Sequence, residues 1–136
     1  MLVIADADIV ISTITKGEMY TGSAKSQHPQ QSRKKQDAFF VRFNSLSFDE
    51  IAANEFGRIR ATLELNGTPI GPYDMQIAAI ALAHGLVVVT HNTREFGRVE
   101  KLMIEDWSKR FEEDIYQRVM KVNPFCSAGN CRSWIT

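Results

Sequence analysis

Apolar and polar positions fall into blocks whose periods change along the chain. Leu2 to Ile11 is rich in Val and Ile and reads as a strand, interrupted by Asp6 and Asp8. Ser12-Thr-Ile-Thr15 then offers a helix start. Thr15 with Glu18 three residues later fits a capping box, which places Glu18 in the first helical turn, just after a strand end. Gly22 to Lys35 is polar, with Pro29 and the basic cluster Arg33-Lys-Lys35. Part of it reads as loop, and its basic end opens a second helix. Phe39, Phe40 and Phe43 have near-helical spacing and read as core contacts, and Leu46 to Phe48 as a short strand. Asp49-Glu50 gives an acidic first turn to a helix that runs to Leu65. Its stripe is Ile51, Ala52, Phe56, Ile59, Ala61 and Leu63, and Asn66-Gly67 ends it.

The second half has a sharper pattern. Thr68 to Tyr73 is a loop with two prolines. Asp74 starts an apolar helix that Gly85 terminates. Leu86 to Val89 is short, wholly apolar and β-branched, the signature of a strand buried on both faces of a parallel sheet. Thr90 to Phe96 is a polar loop, and Leu102 to Ile104 a last edge strand. Helices alternating with strands give an α/β sandwich. After Trp107 the pattern fades. Residues 1–107 are expected to form one domain and residues 108–136 a helical or disordered C-terminal extension.

Composition narrows the partners. The 136 residues carry 16 basic and 16 acidic side chains, so overall charge steers nothing and any nucleic-acid contact must rest on a local basic rim. The apolar run Ala78–Ala83 is far too short to cross a bilayer, so no membrane role is expected. The N-terminus lacks a basic start with a long apolar region, which makes the cytoplasm the default location. Cys126 and Cys131 lie in the last stretch without further ligands at zinc spacing and read as incidental thiols.

The candidate chemistry lies at the element ends. Glu18, Asp74, Asn92 and Glu95 each fall at a strand-to-helix junction or in the loop after a strand, where open α/β sheets build their sites. Oxygen-rich clusters suit Mg²⁺ or Mn²⁺, and such ions can activate water for phosphodiester hydrolysis. Each residue also has a plain reading. Glu18 can serve as a cap, Asp74 as a helix-dipole partner, Asn92 as a turn residue and Glu95 as a surface ion-pair partner of Arg94 or Arg98. Arg33, Lys34, Lys35, Arg58, Arg60, Arg94 and Arg98 can line a phosphate-binding rim or simply form solvated helix faces. Tyr73 can stack on a base or pack under its loop. The three histidines support no nucleophilic triad, and Gly67 to Gly71 lacks the lysine and spacing of a phosphate loop.

Five segments in order, Ile11 to Gly22, Gly57 to Ala61, Gly67 to Asp74, Thr90 to Phe96 and Ile104 to Trp107, resemble the PIN-domain ribonucleases of the VapC toxin type. The resemblance covers roughly residues 8–107. It implies a three-layer PIN sandwich with a mostly parallel central sheet, and a Mg²⁺-dependent endoribonuclease acting on structured RNA, often tRNA. It also implies a cognate antitoxin and a homodimer. Carried over by position, Glu18 matches an acidic residue at the second strand-to-helix junction and Asp74 the central acidic residue, the two expected metal ligands, and Asn92 and Glu95 fall in the last polar loop, where the family places its remaining ligands; all four are the implied catalytic residues. Tyr73, Arg94 and Arg98 are the RNA-contact candidates. VapC chains begin with a strand ending in Asp and then two helices, whereas only ten residues precede Ile11 here. The first strand, its Asp and those helices are therefore expected to be missing, with Asp6 or Asp8 as weak substitutes. A second reading follows: a catalytically impaired remnant that binds only an antitoxin or a partner toxin.

Overall fold

A computed structural model of the chain describes residues 9–107 and the backbone of residues 133–135. The described elements are β1 (Ile9–Ser12), α1 (Thr13–Ala24), α2 (Pro29–Phe40), β2 (Asn44–Leu46), α3 (Glu50–Leu65), α4 (Pro72–His84), β3 (Val87–Val89), α5 (Thr93–Phe96), β4 (Met103–Glu105) and β5 (Ser133–Ile135). The five strands form one parallel sheet in the order β2-β1-β5-β3-β4. This is the expected α/β class.

Alternation along β1 sorts the two cores. Val10 packs on one face with Ala52, Ile59 and Leu63 of α3 and the buried side of α4. Ile9 and Ile11 point to the other face, against Met19 and Tyr20 of α1 and Phe40 and Phe43. Both sides of β1 are thus covered, which is why all its residues are buried. Helix α4 lies at the centre: Met75 and Ile77 through Ala81 are all buried, and its small residues let α3 approach closely.

Helix ends are set by specific groups. Ser12, fully buried, caps α1: its Oγ accepts the Thr15 N–H at 2.9 Å and shares a hydrogen bond with Thr15 Oγ1. The cap therefore lies three residues before the expected Thr15, and Glu18 falls in the second turn, not the first. Asp49 caps α3 through the Ala52 N–H at 2.9 Å. Gly85, at φ 62°, takes the left-handed conformation that ends α4, and the Leu86 N–H returns to the Ala81 carbonyl at 2.9 Å.

Several expectations shift. Helix α2 starts at Pro29, where a missing N–H costs nothing, so Pro29 to Ser32 are already helical and the loop part of this polar stretch is Lys25 to His28. Strand β2 is Asn44–Leu46, two residues earlier than the Leu46–Phe48 reading, because Phe48 packs edge-on against Phe56 in the second turn of α3. Ile51 and Ala61 lie off the buried stripe of α3, and Ile51 is 59% exposed. Strand β5 comes from the stretch expected to be an extension. Its three residues sit inside the sheet, between β1 and β3. Residues 108–132, and with them Cys126 and Cys131, lie outside the described residues, as do Asp6 and Asp8.

Candidate metal and RNA site

The carboxyl ends of β1 and β3 open toward the same edge of the sheet, and the polar junctions meet there. Asp74 is the third residue of α4. Gly71 precedes that helix without a side-chain cap, so the first-turn carboxylate lies where the helix dipole favours negative charge. The loop after β3 is held by buried Thr90, whose Oγ1 accepts the Asn92 N–H at 3.0 Å and whose own N–H donates to the Glu105 carbonyl at 2.9 Å. Asn92 makes no side-chain cap to α5 and instead donates Nδ2 to Asp74 Oδ2 at 3.2 Å.

Glu95, on α5, completes the contact. Burial pushes the Asp74 carboxyl up from 3.8 to about 6, helped by its hydrogen bond to Glu95 and by the negative charges of Glu95 and Glu18, while Asn92 acts the other way. Glu95 moves oppositely. The hydrogen bond with Asp74 holds it below 4.5, with further support from Asn92, the Gly71 N–H and the charge of Arg98. Glu18 is exposed on α1 and acts on Asp74 through its charge. Among the described residues no three His, Cys, Asp or Glu side chains stand close enough to enclose a metal ion. The centre is thus an acidic pair with a third charge nearby. Its donors are all oxygen, and one or two carboxylates are what Mg²⁺ asks of a protein, since it keeps several waters. The residues fit a hard divalent cation.

A family model described as PIN domain matches residues 2–102. This chain belongs to the PIN-domain family. Within that family it belongs to the VapC group. The PIN domain is 45% identical over 98 residues to a tRNA(fMet)-specific endonuclease VapC of Shigella flexneri, covering 72% of this chain and 74% of that protein. It is 39% identical to ribonuclease VapC2 of Haemophilus influenzae, covering 71% and 74%. Among solved structures it resembles DNA-bound VapBC from Salmonella typhimurium, with 46% identity, a TM-score of 0.70 and coverage of 72% and 74%. VapBC-1 from nontypeable Haemophilus influenzae gives 36% identity, a TM-score of 0.71 and coverage of 74% and 75%.

The RNA-contact candidates of the PIN domain divide. Tyr73 is 57% exposed beside Asp74 and does not pack under its loop. Arg94 is exposed and makes no ion pair among the described residues. Arg98 is committed: its Nη1 donates to the Pro69 carbonyl at 2.9 Å, pinning the loop that leads to Asp74 while its charge acts on Glu95. Arg33, Arg58 and Arg60 pair with Asp37, Glu55 and Glu64 on their own helices, the plain solvated-face reading. Sequence reasoning passed over Gly71 and Thr90, which act through a backbone N–H and a turn. The Thr90-x-Asn92 spacing was the visible signal for the second.

Proposed function

We propose that this PIN domain is the ribonuclease of a toxin–antitoxin pair, hydrolysing RNA phosphodiester bonds with Mg²⁺ held at Asp74 and Glu95. Mn²⁺ is an acceptable replacement. The observation that carries the reading is the meeting of Asp74 with Asn92 and Glu95: Asn92 Nδ2 donates to Asp74 Oδ2 at 3.2 Å, Glu95 lies within hydrogen-bond reach of the same carboxyl, and Glu18 adds a third negative charge, a concentration of acid that favours a cation.

Bound there, a divalent cation supplies an activated water and offsets charge on the phosphate. The chain's own residues do the rest. Asn92 fixes the rotamer of Asp74, and the Gly71 N–H fixes Glu95. Glu18 adds negative potential from the β1 side. Tyr73 offers an exposed ring for stacking on a base, and Arg94 a free guanidinium for a phosphate. The substrate is tRNA-like, in keeping with the name of the Shigella relative. The partner is a cognate antitoxin, in keeping with the VapBC structures it resembles, and we propose that the chain acts as a cytoplasmic homodimer. No described helix is long and apolar enough to cross a membrane.

The test is cleavage of a tRNA pool by the purified chain with Mg²⁺ and with EDTA, beside Glu95→Gln. Cleavage that needs the ion and falls at least about 100-fold in the variant supports the reading. Intact tRNA in every lane overturns it in favour of a remnant that only binds its partner.

A further inference from the structure

Strands β1 and β3 share no ladder. Among the described residues, β1 pairs with β2 and β5, and β3 pairs with β4 and β5. The sheet is therefore two half-sheets joined by one three-residue strand from far along the chain. Ile9 and Val10 pair with Ser133 and Trp134 on one side; Val87, Val88 and Val89 pair with Ser133, Trp134 and Ile135 on the other. The two halves carry different parts of the site. Glu18 follows β1, whereas Asn92 and Glu95 follow β3 and meet Asp74.

We propose that the gap between β1 and β3 is a strand-acceptor site whose occupant is this chain's own segment 133–135, and that this segment binds there even when cut from the rest of the chain. Two strand spacings separate β1 from β3 across β5, about 9.6 Å. If the gap emptied, the halves would close or slip by about one spacing, 4.8 Å. A catalytic constellation tolerates about 0.5 Å. The segment is thus a positioning element for Glu18 against Asp74 and Glu95, and it contributes no carboxylate of its own among Ser133, Trp134 and Ile135. The binding is main-chain pairing on both edges of the segment, the mode by which extended peptides add to open strand edges. Residues 108–132 link the segment to the body, and a link of that length gives an effective concentration of about 1 mM, which favours pairing in cis; once the link is cut, only the main-chain pairing on both edges holds the segment. The purpose assigned to the strand rests on the ribonuclease reading; its pairing does not.

The experiment uses the full chain with a protease recognition sequence inserted within residues 108–132, alone and with Trp134→Pro. Proline removes a ladder N–H and is excluded from central strands. After cleavage, the parent fragment carrying 133–135 should co-elute with the body, and amide exchange at β1 and β3 should stay as in the uncut chain. The proline fragment should be released, with exchange at the amides facing β5 at least about tenfold faster. Adding the parent synthetic fragment should restore the slow exchange, and in the cleavage assay should restore activity. Exchange at Val87–Val89 that ignores Trp134→Pro, retention of the proline fragment as tight as the parent's, or no rescue by the added fragment would each overturn the proposal. If exchange follows the strand while even the uncut chain leaves tRNA intact, the pairing stands and the ribonuclease reading fails.

Discussion

Replacing Asp74 by Asn should make the protein more stable at neutral pH while removing its proposed function. The proton that Asp74 keeps up to about pH 6 is one the unfolded chain releases near 3.8. A carboxyl whose folded pKa is raised contributes stability that is fully present below 3.8 and is lost as pH rises through about 6. Just over two pH units correspond to about 3 kcal/mol, and because the carboxyl partly faces solvent, screening reduces this to about 1 kcal/mol. Asparagine mimics the protonated form, with an amide that can donate to Glu95 as the acid proton does. Asp74→Asn should therefore raise Tm by about 4 °C at pH 8. The gain should shrink through pH 6 and vanish near pH 4, where the parent is itself protonated. Mg²⁺ should reverse the order at pH 8, stabilising the parent and leaving the variant unmoved. Thermal unfolding followed by circular dichroism at the three pH values reads this directly. A variant equally stable or less stable at pH 8, or one whose gain persists at pH 4, would refute the assignment of a strained acidic pair.

Three further outcomes follow from local geometry. Gly97→Ala would place a Cβ 2.7 Å from the Thr93 carbonyl oxygen, so the turn bearing Glu95 must shift; a loss of about 2 kcal/mol in urea unfolding, with weaker Mn²⁺ binding, is expected. Ser12→Ala removes the buried cap of α1 and should cost about 1 kcal/mol by the same measurement. Arg98→Ala frees the Pro69 carbonyl and removes a positive charge near Glu95. It should lower RNA cleavage while leaving stability within about 1 kcal/mol, whereas Arg60→Ala, which breaks only an exposed pair with Glu64, should change neither.

Much of the site was legible because it is built from local signals. Gly71 before the helix, Asp74 in its first turn, Gly85 at its end and the buried Val87–Val89 run fix where α4 and β3 lie, and with them the meeting of Asp74 with Asn92 and Glu95. The helix start at Ser12 was misplaced because two hydroxyl residues compete as caps, and burial decides for the earlier one. Ile51 looked like core by spacing but faces solvent, since the buried stripe of α3 runs through Ala52, Ile59 and Leu63 instead. Arg98 resembled an RNA contact because a bonded carbonyl 29 residues away leaves no mark on its neighbours in sequence. Strand β5 was illegible for the same reason at larger scale. Three residues carry no period, and their place in the sheet is set by pairing with segments more than 40 positions away.

The central claim is that Asp74 and Glu95 hold the divalent cation that serves RNA hydrolysis. Crystals grown with Mn²⁺ and measured at the manganese absorption edge test it most directly. An anomalous peak is expected within about 2.2 Å of both carboxylates, absent in Asp74→Asn crystals. A peak elsewhere on the protein, or none beside Asp74 and Glu95 with the ion in excess, would contradict it.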